Sequence, residues 1–486
     1  MLLVLAVVLG AAPAGAQALQ KRIDTRLAKA PLDRNLWGVV LLDPSGKQLY
    51  ARNADRMFIP ASNTKLVVSA VGAALLPPET TVRTSLYADG PVEGGVLRGD
   101  LVLYGRGDPT MSKRCYAVDT TAAGACDADS FERLRALVAG LRLRGITTVT
   151  GDLVGDGSYF SGNLVNGDWE EYDLNWWYAA PVSGLGFNDN SIDFTYGPGP
   201  KLDAPAVVSF TPDFGSVAFE NRTRTVAAGQ PTTIDFFREP GTMHVWAEGD
   251  VALDSRGGKE YFALPDPDLY TAQALRSVLA DSGIAVLGGT RSTTDSSRYR
   301  DARAGAPLAE VESRPVKDWI FPILNTSQNW YAEMLLKQLG RQFGESGSWQ
   351  GGLAVERRFL IDSVKVDSTQ FALRDGSGLS SSNLVSPVSF ATLLAWIHRH
   401  PHFASFSAGL PQSGQRGSLK SRFVGTPLEG LVHAKTGSIS RVNTLSGFIE
   451  LPGRTLTFSV EANNHTLGSR VMLPQIDSLV LQMGKK

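Results

Sequence analysis

The segment at residues 60–66, Pro-Ala-Ser-Asn-Thr-Lys-Leu, places Ser62 three residues before Lys65. In a helix, residues at this spacing lie one turn apart on the same face. The lysine amine could then remove the proton of the serine hydroxyl, which is one way a serine nucleophile is activated. We therefore expect a candidate nucleophile, Ser62, beside a candidate general base, Lys65. The pair alone is a weak indication, because Ser-x-x-Lys arises by chance in many proteins.

The residues that follow this pair, 66–76, are apolar or small on every side of a helix, which predicts a helix buried all round. Pro77 and Pro78 end it, because a proline ring cannot continue the hydrogen-bond ladder. Burial lowers the pKa of a lysine, and a helix N-terminus favours a developing alkoxide. Ser62 and Lys65 are thus expected where both can react near neutral pH.

Two later motifs make the first more significant. Ser327-Gln328-Asn329 precedes a predicted helix from Asn329 to Leu339, and Lys435-Thr436-Gly437-Ser438 ends a predicted strand. The order Ser-x-x-Lys, Ser-x-Asn, Lys-Thr-Gly is that of penicillin-recognising serine enzymes.

Further segments extend this similarity over nearly the whole chain. They are Gly-Arg-Gly-Asp-Pro at 105–109, Tyr-Ala-Ala-Pro-Val-Ser at 178–183, Asp-Gly-Ser-Gly-Leu-Ser at 375–380 and Leu-Pro-Gln-Ser-Gly at 410–414. With them the chain resembles the D-alanyl-D-alanine carboxypeptidases/endopeptidases among the class C low-molecular-mass penicillin-binding proteins. One departure is Ser381-Ser382-Asn383, where many members of that family carry a basic residue; Arg374, just before the segment, is a candidate for that role.

The resemblance implies a role for each matched residue. Ser62 would attack the carbonyl of the penultimate D-alanine, and neutral Lys65 would take its proton. Ser327 would relay a proton to the leaving amine, and Asn329 would hold the amide on the acyl side. Water would then hydrolyse the acyl-enzyme, without a cofactor or a metal ion.

The Lys-Thr-Gly strand would bind the substrate. Lys435 would lower the pKa of Lys65 and attract the terminal carboxylate, with help from the hydroxyls of Thr436 and Ser438. Gly437 would let the substrate backbone approach closely. The resemblance places an oxyanion hole at the backbone N–H groups of Ser62 and Ser438, each donor contributing about 3 kcal/mol.

The fold class expected is α+β or α/β: a penicilloyl-serine transferase (β-lactamase-like) domain of antiparallel sheet plus helices, with a large β-rich insert. We predict a discontinuous catalytic domain at 19–85 plus 268–486. The insert, 86–267, is predicted to form two subdomains, an α/β unit at 99–178 nested in a β-rich unit of 86–98 plus 179–267. Pro474 is predicted to open the last helix.

Composition limits the partners and the location. The 486 residues carry a formal net charge of -1 and are 43% hydrophobic, so neither nucleic acid nor an anionic surface is an expected partner. The apolar run from Leu2 to Ala12, followed by small residues, predicts a signal peptide at 1–18 that is cleaved after Ala16 or Ala18. No other segment is apolar for long enough to span a membrane. We therefore expect a protein of the periplasm or cell exterior.

The sequence has two cysteines, Cys115 and Cys126, eleven positions apart. In an exported protein a local disulfide is favoured over two free thiols, which stay an alternative. It would contribute roughly 3 kcal/mol at most.

The leading hypothesis is a serine-type D-Ala-D-Ala carboxypeptidase, also cutting D-alanyl-meso-diaminopimelate-type cross-links between peptidoglycan stem peptides and binding β-lactams covalently. A β-lactamase or esterase on the same scaffold is the first alternative. A non-catalytic cell-wall binding protein is the second. The sequence leaves open the balance of the two peptidase activities, the third stem residue, the role of the insert, and whether a homodimer forms.

Overall fold

A computed structural model describes residues 14–118, 120–121 and 125–485. Its helices are α1 Ala14–Leu27, α2 Lys65–Leu75, α3 Glu132–Leu143, α4 Pro267–Asp281, α5 Arg300–Ala304, α6 Val316–Asn325, α7 Asn329–Phe343, α8 Trp349–Phe359, α9 Pro387–Ile397, α10 Phe403–Gly409 and α11 Ser469–Met483. Its strands are β1 Leu36–Leu42, β2 Gln48–Arg52, β3 Arg83–Asp89, β4 Val92–Glu93, β5 Val96–Leu97, β6 Asp100–Gly105, β7 Thr148–Val149, β8 Leu153–Asp156, β9 Ser191–Gly197, β10 Val207–Thr211, β11 Ala218–Val226, β12 Asp235–Arg238, β13 His244–Ala252, β14 Gly258–Ala263, β15 Ala285–Val286, β16 Thr290–Thr293, β17 Ala309–Glu312, β18 Phe371–Ala372, β19 Leu384–Val385, β20 Val432–Ile439, β21 Val442–Leu451 and β22 Arg454–Asn463.

A five-stranded antiparallel sheet joins the two ends of the chain, in the order β2-β1-β22-β21-β20. Val39 pairs with Val460, and Lys435 pairs with Ser446, so β20 is an edge strand that carries the Lys-Thr-Gly motif. Helices α1 and α11 cover one face of the sheet. Helix α9 covers the other face and packs in turn against α2. The sheet and helices together fix where the motif segments can meet.

Helix α2 is buried as its composition predicts, because residues 65–73 are all buried. It packs against α6, α7 and α9. The apolar side chains that form this core include Val68, Val71, Leu324, Leu335 and Leu394. The segment that carries Ser62 therefore continues into a fully buried helix of the core, where a side chain has little freedom to move.

Strand pairing in the insert differs from the boundaries predicted at 86, 178 and 267. A five-stranded sheet has the order β16-β8-β6-β3-β17, so strands after residue 267 pair with strands before residue 160. A small sheet of order β15-β7-β5-β4 adjoins this unit in sequence. The prediction missed β16 and β17 because each has only four residues. We propose that the insert extends from about 83 to about 312.

The β-rich part of the insert lies within that α/β unit in sequence, the reverse of the predicted nesting. It consists of two three-stranded sheets, β10-β9-β14 and β11-β13-β12. Phe194 and Phe236 form its core, with their ring centroids 4.3 Å apart. The predicted disulfide joins Cys115 to Cys126 in a loop that precedes α3.

Helices α1 and α11, the first and last of the described helices, pack together against the central sheet. The run from Leu2 to Ala12 lies outside the described residues, and the two predicted cleavage points fall in α1 before Leu19, its first buried side chain described. Cleavage there would remove none of the described buried contacts. Among the described helices, none has the length and apolar character needed to cross a membrane.

The prediction that Pro474 opens the last helix is wrong. Helix α11 begins at Ser469 and contains Pro474 in its second turn. The ring is exposed to solvent, so the carbonyl of Arg470 that lacks a donor can bind water instead. Its buried stripe is Met472, Ile476, Leu479, Val480 and Met483.

Candidate active site

Ser62 lies in a single 3-10 turn, Ala61–Thr64, that runs directly into α2. Ala61 has a positive φ of 48°, a conformation that costs free energy for a residue with a side chain. Gly378 lies against this turn, and a Cβ on it would be only 1.9 Å from the carbonyl oxygen of Ala61. The strained turn and the glycine beside it hold Ser62 half-buried at the end of a buried helix.

The amine of Lys65 has three oxygen neighbours and is fully buried. Its Nζ lies 3.0 Å from Ser62 Oγ, 2.7 Å from Asn329 Oδ1 and 2.6 Å from the carbonyl oxygen of Ser377. A backbone carbonyl and an amide oxygen can only accept hydrogen bonds. In a neutral amine they take both N–H groups, and the remaining lone pair then points at the hydroxyl of Ser62. This geometry suits proton transfer from Ser62 to Lys65.

Burial lowers the pKa of Lys65 from its ordinary value of 10.5 to about 7. The charges of Asp375 and Glu333 act in the opposite direction and limit the fall. The cause is desolvation, since a buried ammonium loses the water that stabilises it. Near neutral pH, Lys65 is therefore balanced between the neutral and the charged form.

The Ser-x-Asn motif reaches both lysines. Ser327 has a positive φ of 62°, and its hydroxyl accepts a hydrogen bond of 2.9 Å from Lys435 Nζ. Two residues later, Asn329 accepts from Lys65 and donates through Nδ2 to the carbonyl oxygen of Tyr178, 2.8 Å away. That second bond fixes the side-chain oxygen of Asn329 toward Lys65. The structure thus brings the first two motifs together.

Lys435 is fully buried on β20 and donates to the carbonyl oxygen of Thr436, 2.8 Å away, as well as to Ser327. Burial, followed by repulsion from the charge of Lys65, holds the pKa of Lys435 well below its ordinary value. Because the repulsion is mutual, a proton on either amine disfavours a proton on the other. The pair therefore resists carrying two positive charges.

Gly437 was predicted to give room to the substrate backbone, and in the structure it lies against the turn that carries Ser62. A Cβ on it would lie 2.2 Å from Thr444 Oγ1, 2.6 Å from the carbonyl oxygen of Pro60 and 3.1 Å from the backbone nitrogen of Ser62. The nucleophile turn, rather than a substrate, comes close at this side. Glycine is needed here because β20 packs directly against the turn, which brings the backbone of Gly437 near that of Ser62.

The hydroxyls of Thr436 and Ser438 lie at the open side of the strand. Thr436 is half-buried and donates to Ser418 Oγ, 2.7 Å away, while exposed Ser438 accepts from Asn443 Nδ2 at 3.0 Å. Both hydroxyls can reach solvent and a ligand.

Replacing Gly437 by alanine is expected to move β20 away from the nucleophile turn. Overpacking of this kind costs about 1–3 kcal/mol in free energy of unfolding. A displacement of the turn should also slow acylation by a β-lactam roughly 10²-fold. Thermal denaturation and stopped-flow acylation would measure the two effects. Gly197→Ala is the control, because a Cβ there meets nothing within 4 Å; equal acylation in both variants would contradict the prediction.

Sequence reasoning missed three groups that the structure places at the site: the carbonyl oxygens of Ser377 and Tyr178, and the hydroxyl of Ser418. Two of them belong to segments that the sequence does single out, at 375–380 and 178–183. Their positions give no sign of the contact, because a backbone carbonyl is present at every residue. Only the fold shows which carbonyl reaches Lys65.

Arg374, the suggested substitute for the missing basic residue, is exposed, and its Nε lies 3.8 Å from Asp168 Oδ2. Trp176 is buried and stacks on Phe262 with ring centroids 5.2 Å apart, so it packs in the interior. In the described part of the chain, no group of three or more His, Cys, Asp or Glu side chains is placed to hold a metal ion.

The comparisons with known proteins agree with the geometry. The D-alanyl-D-alanine carboxypeptidase of Actinomadura sp. (strain R39) is 31% identical over 479 residues, covering 94% of this chain and 84% of that protein. The crystal structure of penicillin binding protein 4 from Haemophilus influenzae covers 96% of this chain and 99% of its own, with a TM-score of 0.81 and 23% identity. A second structure of that protein, complexed with a novel β-lactam, has a TM-score of 0.74 at 21% identity, covering 96% and 100%.

The structural similarity confirms the predicted fold class, a β-lactamase-like domain of sheet and helices with a large insert. The prediction of a serine-type D-Ala-D-Ala carboxypeptidase is confirmed at the level of the family. The model of one family matches residues 19–483, almost all of the described chain. The chain belongs to the D-Ala-D-Ala carboxypeptidase 3 (S13) family.

Proposed function

We propose that this protein is exported and removes the terminal D-alanine from peptidoglycan stem peptides through an acyl-enzyme on Ser62. The observation that carries the proposal is the contact of 3.0 Å between Lys65 Nζ and Ser62 Oγ, made by an amine whose other two neighbours only accept hydrogen bonds. Family membership supplies the substrate class.

In the first step, Lys65 takes the hydroxyl proton of Ser62 while Oγ attacks the carbonyl carbon of the penultimate D-alanine. The backbone N–H groups of Ser62 and Ser438 would bind the oxyanion. Such preorganised donors contribute about 3 kcal/mol each to stabilisation of the transition state.

In the second step the C–N bond breaks, and the leaving nitrogen takes a proton from the hydroxyl of Ser327, which regains one from the ammonium of Lys435. That hydroxyl accepts from Lys435, so its own proton is free to be donated. Lys435, Thr436 and Ser438 would bind the terminal carboxylate. Asn329 retains one N–H for the amide on the acyl side, because an amide nitrogen carries two and Tyr178 takes one.

In the last step, water attacks the ester carbonyl and its proton passes through Ser327 to Lys435, while the bond to Ser62 Oγ breaks and Lys65 returns its proton to the serine. We include in the proposal the cleavage of D-alanyl-meso-diaminopimelate-type cross-links, since the same bond type is cut with a larger leaving group. β-Lactams would acylate Ser62, and the adduct would be hydrolysed slowly, because the amine of the opened ring stays attached to the acyl group.

The proposal predicts release of D-alanine from N,N-diacetyl-Lys-D-Ala-D-Ala and from isolated monomeric stem peptides. Mass spectrometry of peptidoglycan digests, with monomers and cross-linked dimers treated separately, would measure both activities. We expect the tetrapeptide from the pentapeptide, and monomers from dimers. No loss of D-alanine from either substrate by a folded protein that binds penicillin would overturn the peptidase assignment.

A further inference from the structure

Helix α7 presents Asn329 and Glu333 one turn apart on the same side. Asn329 contacts Lys65 directly, whereas Glu333 is fully buried behind it. Glu333 belongs to none of the sequence motifs. Its position, close to the amine yet bonded elsewhere, requires an explanation.

Both carboxylate oxygens of Glu333 hold N–H groups. Oε1 accepts from the backbone N–H of Ser377 at 2.7 Å. Oε2 accepts from the backbone N–H of Gly376 at 3.0 Å and from Trp349 Nε1 at 2.8 Å. Two successive peptide groups of the loop are thereby fixed to α7, and the carbonyl of Ser377 in that loop is the one that contacts Lys65.

Asp375 completes the support from within the loop. Its Oδ1 accepts from the backbone N–H of Gly378 at 2.7 Å, in the same peptide group as the Ser377 carbonyl. Its Oδ2 accepts from the N–H of Ser380 at 2.7 Å and from Trp169 Nε1 at 3.0 Å. Asp375 therefore shapes the loop, and Glu333 sets the distance between the loop and α7.

We propose that Glu333 is a positioning residue of the reaction: it keeps the Ser377 carbonyl on Lys65, so that the lone pair of the amine points at Ser62. The inference deepens the proposed function and depends on it. Helix α7 then directs both N–H groups of the Lys65 amine. Asn329 accepts one through its own side chain, and Glu333 holds the loop whose Ser377 carbonyl accepts the other. Without Glu333 the loop would no longer be held to α7, the Ser377 carbonyl would move away from Lys65, and the lone pair of the amine would lose its direction.

The charge of Glu333 gives a second, separable effect. The charged groups around Lys65 are Asp375 and Glu333, which raise its pKa, and Lys435, which repels it. Burial, followed by the charge of Asp375, raises the pKa of Glu333 to about 7. Lys337 and Glu356 also interact electrostatically with Glu333, which raises the pKa of each. Removing the negative charge of Glu333 should lower the pKa of Lys65.

The test is Glu333→Gln, which keeps the volume of the side chain. A glutamine has one oxygen for three N–H donors, and its own NH₂ group must face at least one of them. We expect acylation of the folded variant by a fluorescent penicillin to slow roughly 10²-fold at the high-pH plateau. The midpoint of the pH profile should fall by about one unit, as expected for loss of a nearby opposite charge.

Glu356→Gln is the matched control. Glu356 is equally buried, and burial raises its pKa well above the ordinary value, so glutamine resembles its protonated form. Neither of its oxygens has a hydrogen-bond partner among the described residues. We expect its acylation rate to stay within about twofold of the wild type with the same midpoint, because the change removes no hydrogen bond of the loop.

Glu333→Asp separates position from charge, and it replaces Glu333→Gln if the latter does not fold. The shorter side chain keeps the charge but moves the loop, so the plateau should fall while the midpoint stays. The inference would be overturned if folded Glu333→Gln kept the plateau acylation rate of the wild type. It would also be overturned if the loss of acylation only matched the fraction of unfolded protein. Failure of the wild-type protein to acylate would instead overturn the proposed function.

Discussion

Ser62→Ala should abolish covalent labelling of the protein by a fluorescent penicillin and the release of D-alanine from peptide substrates. Removing the nucleophile of a serine peptidase costs roughly 10⁶-fold in turnover. The mutation removes only one of the three hydrogen-bond neighbours of Lys65, and the turn is held by contacts that do not involve the hydroxyl. The variant should therefore fold, and the loss should reflect chemistry rather than unfolding.

Ser69→Ala is the control for this experiment. Ser69 lies on the same buried helix, and its hydroxyl has no hydrogen-bond partner among the described residues. Its removal should leave labelling unchanged and should not lower the free energy of unfolding, since a buried hydroxyl without a partner is unfavourable. Labelling of folded Ser62→Ala at another residue would contradict the assignment of the nucleophile.

The lifetime of the labelled wild-type protein decides between a peptidase and the alternative of a β-lactamase. We expect the acyl adduct to persist for many minutes, since the leaving group of an opened β-lactam stays tethered beside the ester. Intact-mass spectrometry over time would follow it. Release within a second would favour a β-lactamase on this scaffold.

The three motifs could be predicted from the sequence because their chemistry needs particular side chains at fixed local spacing. The contact between Ser62 and Lys65 follows from helical geometry alone, and burial of α2 follows from its composition. The contact between Lys435 and Ser327 joins residues 108 positions apart and came only from the family resemblance. Local spacing carries no information about a pair so distant.

The contacts of Glu333 could not be predicted, since a glutamate within a helix is usually solvated. Its burial results from how the loop at 375–380 folds over α7. The wider boundaries that we propose for the insert rest on a related effect, because β16 and β17 are short and acquire their sheet only by pairing with β8 and β3. In both cases the tertiary structure decides what a local pattern leaves open.

Lys65 should give the acylation rate its dependence on pH. Only the neutral amine can take the proton of Ser62, and its pKa is lowered to about 7. The rate should therefore fall about tenfold for each unit of pH well below the midpoint and reach a plateau above about pH 8. At the ordinary pKa of 10.5, the rate would instead keep rising far into the alkaline range. Stopped-flow acylation from about pH 5 to about pH 9 distinguishes a base with the lowered pKa from one with the ordinary pKa.

A midpoint near 7 does not by itself identify Lys65, because burial also lowers the pKa of Lys337 to about 7. Lys337 lies on α7, where its amine donates to the carbonyl oxygens of Asn163 and Val182. Within the part of the chain that the structure describes, these two carbonyls are its hydrogen-bond partners, and Ser62 is not among them. Replacing each lysine by methionine, which keeps most of the volume, tells the two amines apart.

Lys65→Met should slow acylation roughly 10³-fold, the usual contribution of a general base. The residual rate should lose the fall of about tenfold per unit of pH below the midpoint, because the amine that must be neutral to take the proton of Ser62 is gone. Lys337→Met leaves two buried carbonyls without their donor and should lower the free energy of unfolding by about 1–3 kcal/mol. Its folded fraction should nevertheless keep the midpoint near 7, since Lys65 is intact. If Lys337→Met lost the midpoint and Lys65→Met kept it, the general base would be Lys337. That result would contradict the proposed acylation step, which depends on Lys65.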